Sequence, residues 1–201
     1  MTQKYIASNS LIFDTISKIE DIEELYNMYI TNKNFVYKSC NIEWIIVLEK
    51  NNNTIMDENL LESYNDKYIC CTGKNLKIVK IFNKFYPKDS SLSIKDKSWI
   101  STEFNVDSEI THEINFYKCI ECAFYDELNL LPTYTGIYKS WHPNGTLKIS
   151  GFYVSGKKEY QWITNYSNRK LQTIITYKNG IPKGDVISYK ENGHFNIISY
   201  T

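Results

Sequence analysis

The sequence predicts an α+β chain: a short N-terminal helical segment, then an antiparallel β-meander that ends in stacked β-hairpins. Three observations carry this. Apolar residues recur at steps of three and four in residues 1–62, runs of β-branched and aromatic residues fill 63–133, and from 134 to 201 the chain repeats itself every 24 residues. The 201 residues are 42% hydrophobic and 23% charged, which is ordinary globular usage and argues against a disordered or fibrous chain. That length suits one domain, or a small domain with an appended array.

The segment SLIFDTISKIEDIEELYNMYI places Leu11, Ile12, Ile16, Ile19, Ile22, Leu25, Tyr26 and Tyr29 on one stripe of a helical surface. Asp14, Glu20, Asp21, Glu23 and Glu24 take the other side. Asp21 is a capable N-cap, so a break near Glu20 is expected. NIEWIIVLEK is a short apolar run that reads equally as helix or strand, closed by a loop at Asn51 to Thr54, and DENLLESY reads as further helical turns.

Next come KYICCTG, NLKIVKIF, KSWISTEFNV and EINFYKCIECAFY, four candidate antiparallel strands. Turns are expected at Gly73-Lys74-Asn75 and from Pro87 to Ser91. Five cysteines, with Cys70 and Cys71 adjacent, do not form the even framework of a small secreted scaffold. Cys119 and Cys122 have CxxC spacing, but on a strand they would point to opposite faces, which favours packing over metal or redox chemistry.

Glycine and charge both change near residue 134. Of eight glycines only Gly73 precedes Gly136; Gly145, Gly151, Gly156, Gly180, Gly184 and Gly193 follow it. From Tyr134 onward nine basic residues face three acidic ones, whereas the front has 14 basic and 20 acidic. The neutral total therefore joins an acidic front to a basic tail.

Repeat units start at 136, 160 and 184. One 24-residue frame aligns Tyr138 with Trp162 and Val186, Asn144 with Asn168 and Asn192, and Gly145 with Arg169 and Gly193. The same frame aligns Leu147 with Leu171 and Phe195, Tyr153 with Tyr177, and Gly156 with Gly180. Asn144-Gly145 and Asn192-Gly193 are expected as two-residue type I′ turns. Ser155-Gly156 and Asn179-Gly180 supply the second turn of each unit. Leu147, Leu171 and Phe195 should then form one row of the sheet core, with Leu171 the most buried, and Tyr138, Trp162 and Val186 a neighbouring row.

These residues resemble MORN repeats. GIYKSWHPNGTLKISGFYVSGKKEY and YQWITNYSNRKLQTIITYKNGIPKG are similar to the variant found in bacterial antitoxin-like proteins and in giant DNA viruses. Arg169 and Tyr160 stand where that pattern has glycine, and the third unit is shorter. The resemblance implies elongated antiparallel sheets serving as interaction or membrane-proximal scaffolds, with no shared catalytic residues. A second stretch, IFDTISKIEDIEELYNMYITNKNFVYKSCNIEWIIVLEK, resembles the degenerate F-box segments that precede repeat arrays in giant-virus and poxvirus proteins, although its Leu-Pro opening is missing. That would imply recruitment of a ubiquitin-ligase adaptor; a structural cap is the other reading. Richness in Asn, Lys, Ile and Tyr fits an AT-rich genome such as a giant virus, but also some bacteria and protists.

Function classes narrow accordingly. Equal counts of 23 basic and 23 acidic residues argue against a general nucleic-acid binder. No run reaches the roughly 20 apolar residues of a membrane span, and the start lacks a signal-peptide pattern, so a cytoplasmic protein (host cytoplasm or virion, if viral) is expected. His112, His142 and His194 are scattered, and no nucleophile has a recognisable partner, so the expectation is a non-enzymatic binding module without metal or cofactor. Asp126-Glu127 reads as solvated surface. Candidate interaction residues are Lys157, Lys158, Arg169, Lys170, Lys183 and Lys190, facing a protein partner, a second copy or anionic lipid. HFNIISYT is expected as a last strand without charge or proline to protect its edge, and so as a second candidate partner site.

Overall fold

A computed structural model describes residues 18–57, 68–95 and 103–200. Every strand pairing among them is antiparallel. Helices α1 (Lys18–Leu25) and α2 (Asn27–Ile30) open the described chain. The expected break at Glu20 is absent, because the helix runs through Asp21 and turns at Tyr26 instead. Ile22 and Tyr26 are buried, with Tyr26 stacked on Phe82 at 4.0 Å and donating its hydroxyl to the Pro87 carbonyl at 2.5 Å. Leu11, Ile12, Ile16 and most of DENLLESY lie outside the described residues.

The helical reading of 1–62 stops at Ile30. Strands β1 (Phe35–Cys40) and β2 (Trp44–Met56) fill the rest, and the expected loop at Asn51 to Thr54 is part of β2, where the register shifts between Lys50 and Ile55. The reason lies in burial on two sides. Ile46 and Leu48 enter one apolar cluster with Val36, Leu76, Ile78, Ile81 and Phe116, while Ile45 and Val47 enter another with Tyr37, Phe82, Ile120 and Phe124. A strand covered on both faces shows no alternation, and so looks like a buried helix in sequence.

Strand β3 (Cys70–Asn83) is continuous, so Gly73-Lys74-Asn75 lies within a strand rather than at a turn. A Cβ at residue 73 would sit 2.6 Å from the Ile55 carbonyl oxygen, so glycine is there for close strand approach. Short strands β4 (Ser93–Lys95), β5 (Glu103–Asn105), β6 (Glu109–Ile110) and β7 (Ile114–Tyr117) follow. Pairings β1–β2, β2–β3, β3–β7 and β7–β1 close a small ring, the last through Tyr37 opposite Tyr117. The final candidate strand of this region bends into a helix, α3 (Ile120–Tyr125), whose residues Ile120, Ala123 and Phe124 join the outer cluster. A 3₁₀ turn at Leu128–Leu130 leads into the repeat.

The repeat forms one sheet of β8 (Gly136–Trp141), β9 (Leu147–Val154), β10 (Lys157–Asn165), β11 (Leu171–Lys178), β12 (Ile181–Pro182), β13 (Gly184–Tyr189) and β14 (Phe195–Tyr200). Sequence neighbours are sheet neighbours, except that β13 pairs with β11 past the two-residue β12, which itself pairs with β11.

Candidate functional site

Much of the pairing in the sheet follows the 24-residue frame. Lys158 opposite Tyr153 recurs as Pro182 opposite Tyr177, and Thr164 opposite Ile149 recurs as Ser188 opposite Thr173. Leu147, Leu171 and Phe195 lie opposite Trp141, Asn165 and Tyr189, three equivalent partners. The Asn144, Asn168 and Asn192 side chains each accept the backbone N–H two residues on, at 3.1, 3.0 and 3.2 Å. Loops are tied to their successors as well. His142 Nε2 lies 2.8 Å from the Asn165 carbonyl, and Tyr166 donates to the Tyr189 carbonyl at 2.9 Å, the same bond one unit later.

Turn types are the reverse of the expectation for Asn-Gly. Ser155-Gly156 and Asn179-Gly180 have positive φ at both residues, the type I′ pattern. At Asn144-Gly145 only the glycine does, with Gly145 N–H donating to His142 O and His142 N–H to Thr146 O. That is a three-residue loop, a type I turn closed by a left-handed residue, and it recurs at 166–170 and 190–194. The asparagine is used for its side-chain bond, not for its φ. Arg169 adopts φ 70 where its counterparts are glycine, and Tyr160 adopts φ 60 at the unit-opening position shared with Gly136 and Gly184. The frame therefore overrides residue preference at two places, at roughly 1–2 kcal/mol each.

Burial does not follow the expected rows. Trp162 is 4% exposed, the single buried residue between 157 and 199. It stacks on Tyr138 at 5.9 Å and meets Tyr153 and Tyr177 edge-on, and a Cβ at Gly151 would fall 2.2 Å from its ring. Leu147 is 36% and Phe195 58% exposed, with Leu171 half-buried between them, so this row is surface rather than core. Tyr138, Trp141 and Tyr153 of β8 and β9 pack on the front region, whereas Phe195 meets Tyr189 of its own sheet.

Units one and two carry a bulge, where Leu147 and Ile149 face consecutive residues of β8 and where Leu171 and Thr173 face consecutive residues of β10. The third hairpin pairs without one. One residue fewer in the register moves Ile198 to the face of Trp162, whereas Ile174, its equivalent, points away. On that opposite face Ile163, Ile174, Ile187 and Ile197 stand directly across from one another on four consecutive strands.

Of the candidate interaction residues, Lys157, Arg169, Lys170, Lys183 and Lys190 are exposed. Lys170 donates to the Glu191 carbonyl at 2.7 Å. Lys158 is part of the structure instead: its ammonium sits 4.5 Å above the Trp162 ring and 5.1 Å above Tyr177, and burial lowers its pKa.

The second site is one that residue patterns did not reveal. Where α3 meets β8 and the loop after it, a cleft of about 430 Å³ opens, with walls that include Tyr68, Tyr117, Tyr125, Tyr138 and Trp141. Asp126 and Glu127 are among its lining residues, against the expectation of solvated surface. Burial raises the Asp126 pKa, opposed by Lys84, by a hydrogen bond with Tyr117 and by Lys38. Glu127 accepts from Ser39 Oγ and from the Ile42 N–H, both at 3.2 Å. Glu127, Asn41 and Ile42 all have positive φ, so two strained turns are locked together beneath the cleft. Lys84 is fully buried, donating to Ser39 Oγ at 2.7 Å and to the Asp126 carbonyl at 2.9 Å, and burial lowers its pKa to about 7.

The two thiols that line this cleft, Cys70 and Cys122, are held protonated. Burial pushes the Cys70 thiol up to about 11. Cys122 is raised too, first by a hydrogen bond with Cys119, so the helix brings together two thiols that a strand would have separated. Thiols held protonated are poor nucleophiles and poor metal ligands. Among the described residues no group of three or more His, Cys, Asp or Glu is arranged to hold a metal, and no helix is long and apolar enough to cross a membrane. Comparison with protein-family models, with curated proteins and with solved structures returned no match.

Proposed function

We propose that this chain is a non-enzymatic interaction module of MORN-repeat type, whose one-layer sheet takes a protein partner, including a second copy of itself, as its second layer. A β-sheet with an apolar face is stable in water when another layer covers that face. The observation that carries the reading is the isoleucine stripe at 163, 174, 187 and 197, in register across four strands and nowhere buried. Phe195 and Ile197, at 58% and 54% exposure and two residues apart on the same face, extend the apolar surface across the last strand. The front segment acts as cap and platform: burial of Ile22 and Tyr26 favours this over an adaptor-binding role for α1. Exposed Lys157, Lys183 and Lys190 set the partner's charge preference as acidic.

The test is a photo-crosslinking residue placed at Ile187, with the exposed loop position Glu191 as control. Capture of one defined protein or of a second copy from Ile187 alone, lost on Ile174→Lys, is the expected result. Equal capture from both positions, or none, overturns the reading.

A further inference from the structure

We infer that the cleft between α3 and β8 binds a quaternary ammonium group. The inference concerns a surface separate from the isoleucine stripe and goes beyond the partner-binding reading. A cavity of about 430 Å³ lies within the range of small-ligand sites. Its walls are dominated by the rings of Tyr68, Tyr117, Tyr125, Tyr138 and Trp141. Tyr68 and Trp141 are stacked at 5.2 Å with planes 6° apart, a rigid aromatic wall, and Tyr125 meets Trp141 at 6.2 Å and 43°.

Aromatic faces carry negative quadrupole charge and attract cations, most strongly where water is excluded. The molecule already uses them this way: the Lys139 ammonium lies 5.6 Å above the Tyr125 ring on the cleft wall. That ammonium is bonded to Glu121 at 2.7 Å, so its charge is answered within the protein. Asp126 and Glu127 also line the cleft, two carboxyl groups against the one buried amine of Lys84, a lining that disfavours an anionic ligand.

The kind of cation follows from the acceptors. A primary ammonium needs about three hydrogen-bond acceptors when it leaves water. Here each acceptor already takes a hydrogen bond, Asp126 from Tyr117, Glu127 Oε2 from Ser39 and Ile42, and Asn129 Oδ1 from the Tyr138 hydroxyl at 3.3 Å, so a primary ammonium would have to share them. A methylated ammonium asks for no hydrogen bonds. It takes its stabilisation from ring faces and from the field of a carboxylate, which is what remains on offer.

Calorimetric titration of the full chain with tetramethylammonium, and with choline, tests this against the neutral isostere 3,3-dimethylbutanol. Saturable binding of both cations is expected, with the isostere at least about tenfold weaker. Asp126→Asn and Tyr68→Leu should each weaken the cations roughly tenfold, while Trp141→Phe retains binding. Tyr68 is only half-buried, so its variant reports on the site even where a core change disturbs folding. Binding of the isostere as tightly as the cations, or no saturable binding in the millimolar range, overturns the inference. So does unchanged affinity in folded Tyr68→Leu protein.

Discussion

Strands β2 and β11 are made of the same kinds of residue and live in opposite circumstances. Ile45, Ile46, Val47 and Leu48 are all 0% exposed, whereas no residue of LQTIITYK is buried. The difference is one of layers. In the front region Ile45 to Leu48 are covered twice, once by the ring interior and once by the cluster that α1 and α3 join. In the repeat the strand has neighbours only to its left and right. Stability in the front therefore scales with packed volume, and in the repeat with pairing, loop bonds and one aromatic cluster.

The largest expected effect is at the one place where the repeat behaves like the front. Trp162→Ala should cost about 3–5 kcal/mol, read as a loss of thermal stability and of exchange protection from β9 to β11. A cost below about 1 kcal/mol would mean that the aromatic cluster does not organise the sheet. Next, Ile46→Ala should cost about 2–5 kcal/mol while Ile187→Ala costs under about 1 kcal/mol in chemical denaturation of the isolated chain. Equal costs would show that both faces of the repeat are covered in solution.

Lys84 distinguishes the regions by pH. Its folded-state pKa is lowered to about 7 from 10.5, so above pH 7 the unfolded chain binds the proton that the folded chain releases. Stability therefore rises with pH from 7 to about 7.5. Beyond that the unfolded chain's cysteines begin to ionise, near about 8.5, while Cys70, Cys71 and Cys122 stay protonated in the fold and oppose the rise. Below pH 7 Lys84 is protonated in both states and this contribution is flat. Denaturation midpoints measured across that window should rise, and Lys84→Met should remove the slope; an unchanged slope assigns it to other groups. The smallest effect belongs to the strained turn. Arg169→Gly relieves a left-handed arginine and should stabilise the chain by up to about 1 kcal/mol, less whatever interaction the guanidinium makes.

The repeat was legible because its information is periodic. Asn144, Asn168 and Asn192 announce three equivalent loops, and the structure gives each the same side-chain bond. Turn type was misread because Asn-Gly suits both a type I′ turn and a glycine-closed three-residue loop, and only the flanking pairing distinguishes them. The front was harder for a physical reason: WIIVL is buried on both faces, so the period that separates strand from helix is erased. The cleft was illegible because its parts lie far apart in sequence. Tyr68, Asp126 and Trp141 meet only when the ring, α3 and the first repeat strand are in place, and a pair of adjacent acids carries no sign of which neighbour will desolvate it.

Strand order has a consequence for how quickly the two halves form. Each strand of the repeat pairs with the strand before or after it, β11 also pairing with β13 past the two-residue β12, so every closure spans about one hairpin. Such local closures belong to the microsecond range. The front ring must bring Tyr37 to Tyr117 before its last pairing exists, and closing so long a loop is entropically slow. Pairing within the sheet is therefore expected to outpace closure of the ring, which pulse-labelled amide exchange during refolding would read as earlier protection of β8 to β14 than of β1 and β7.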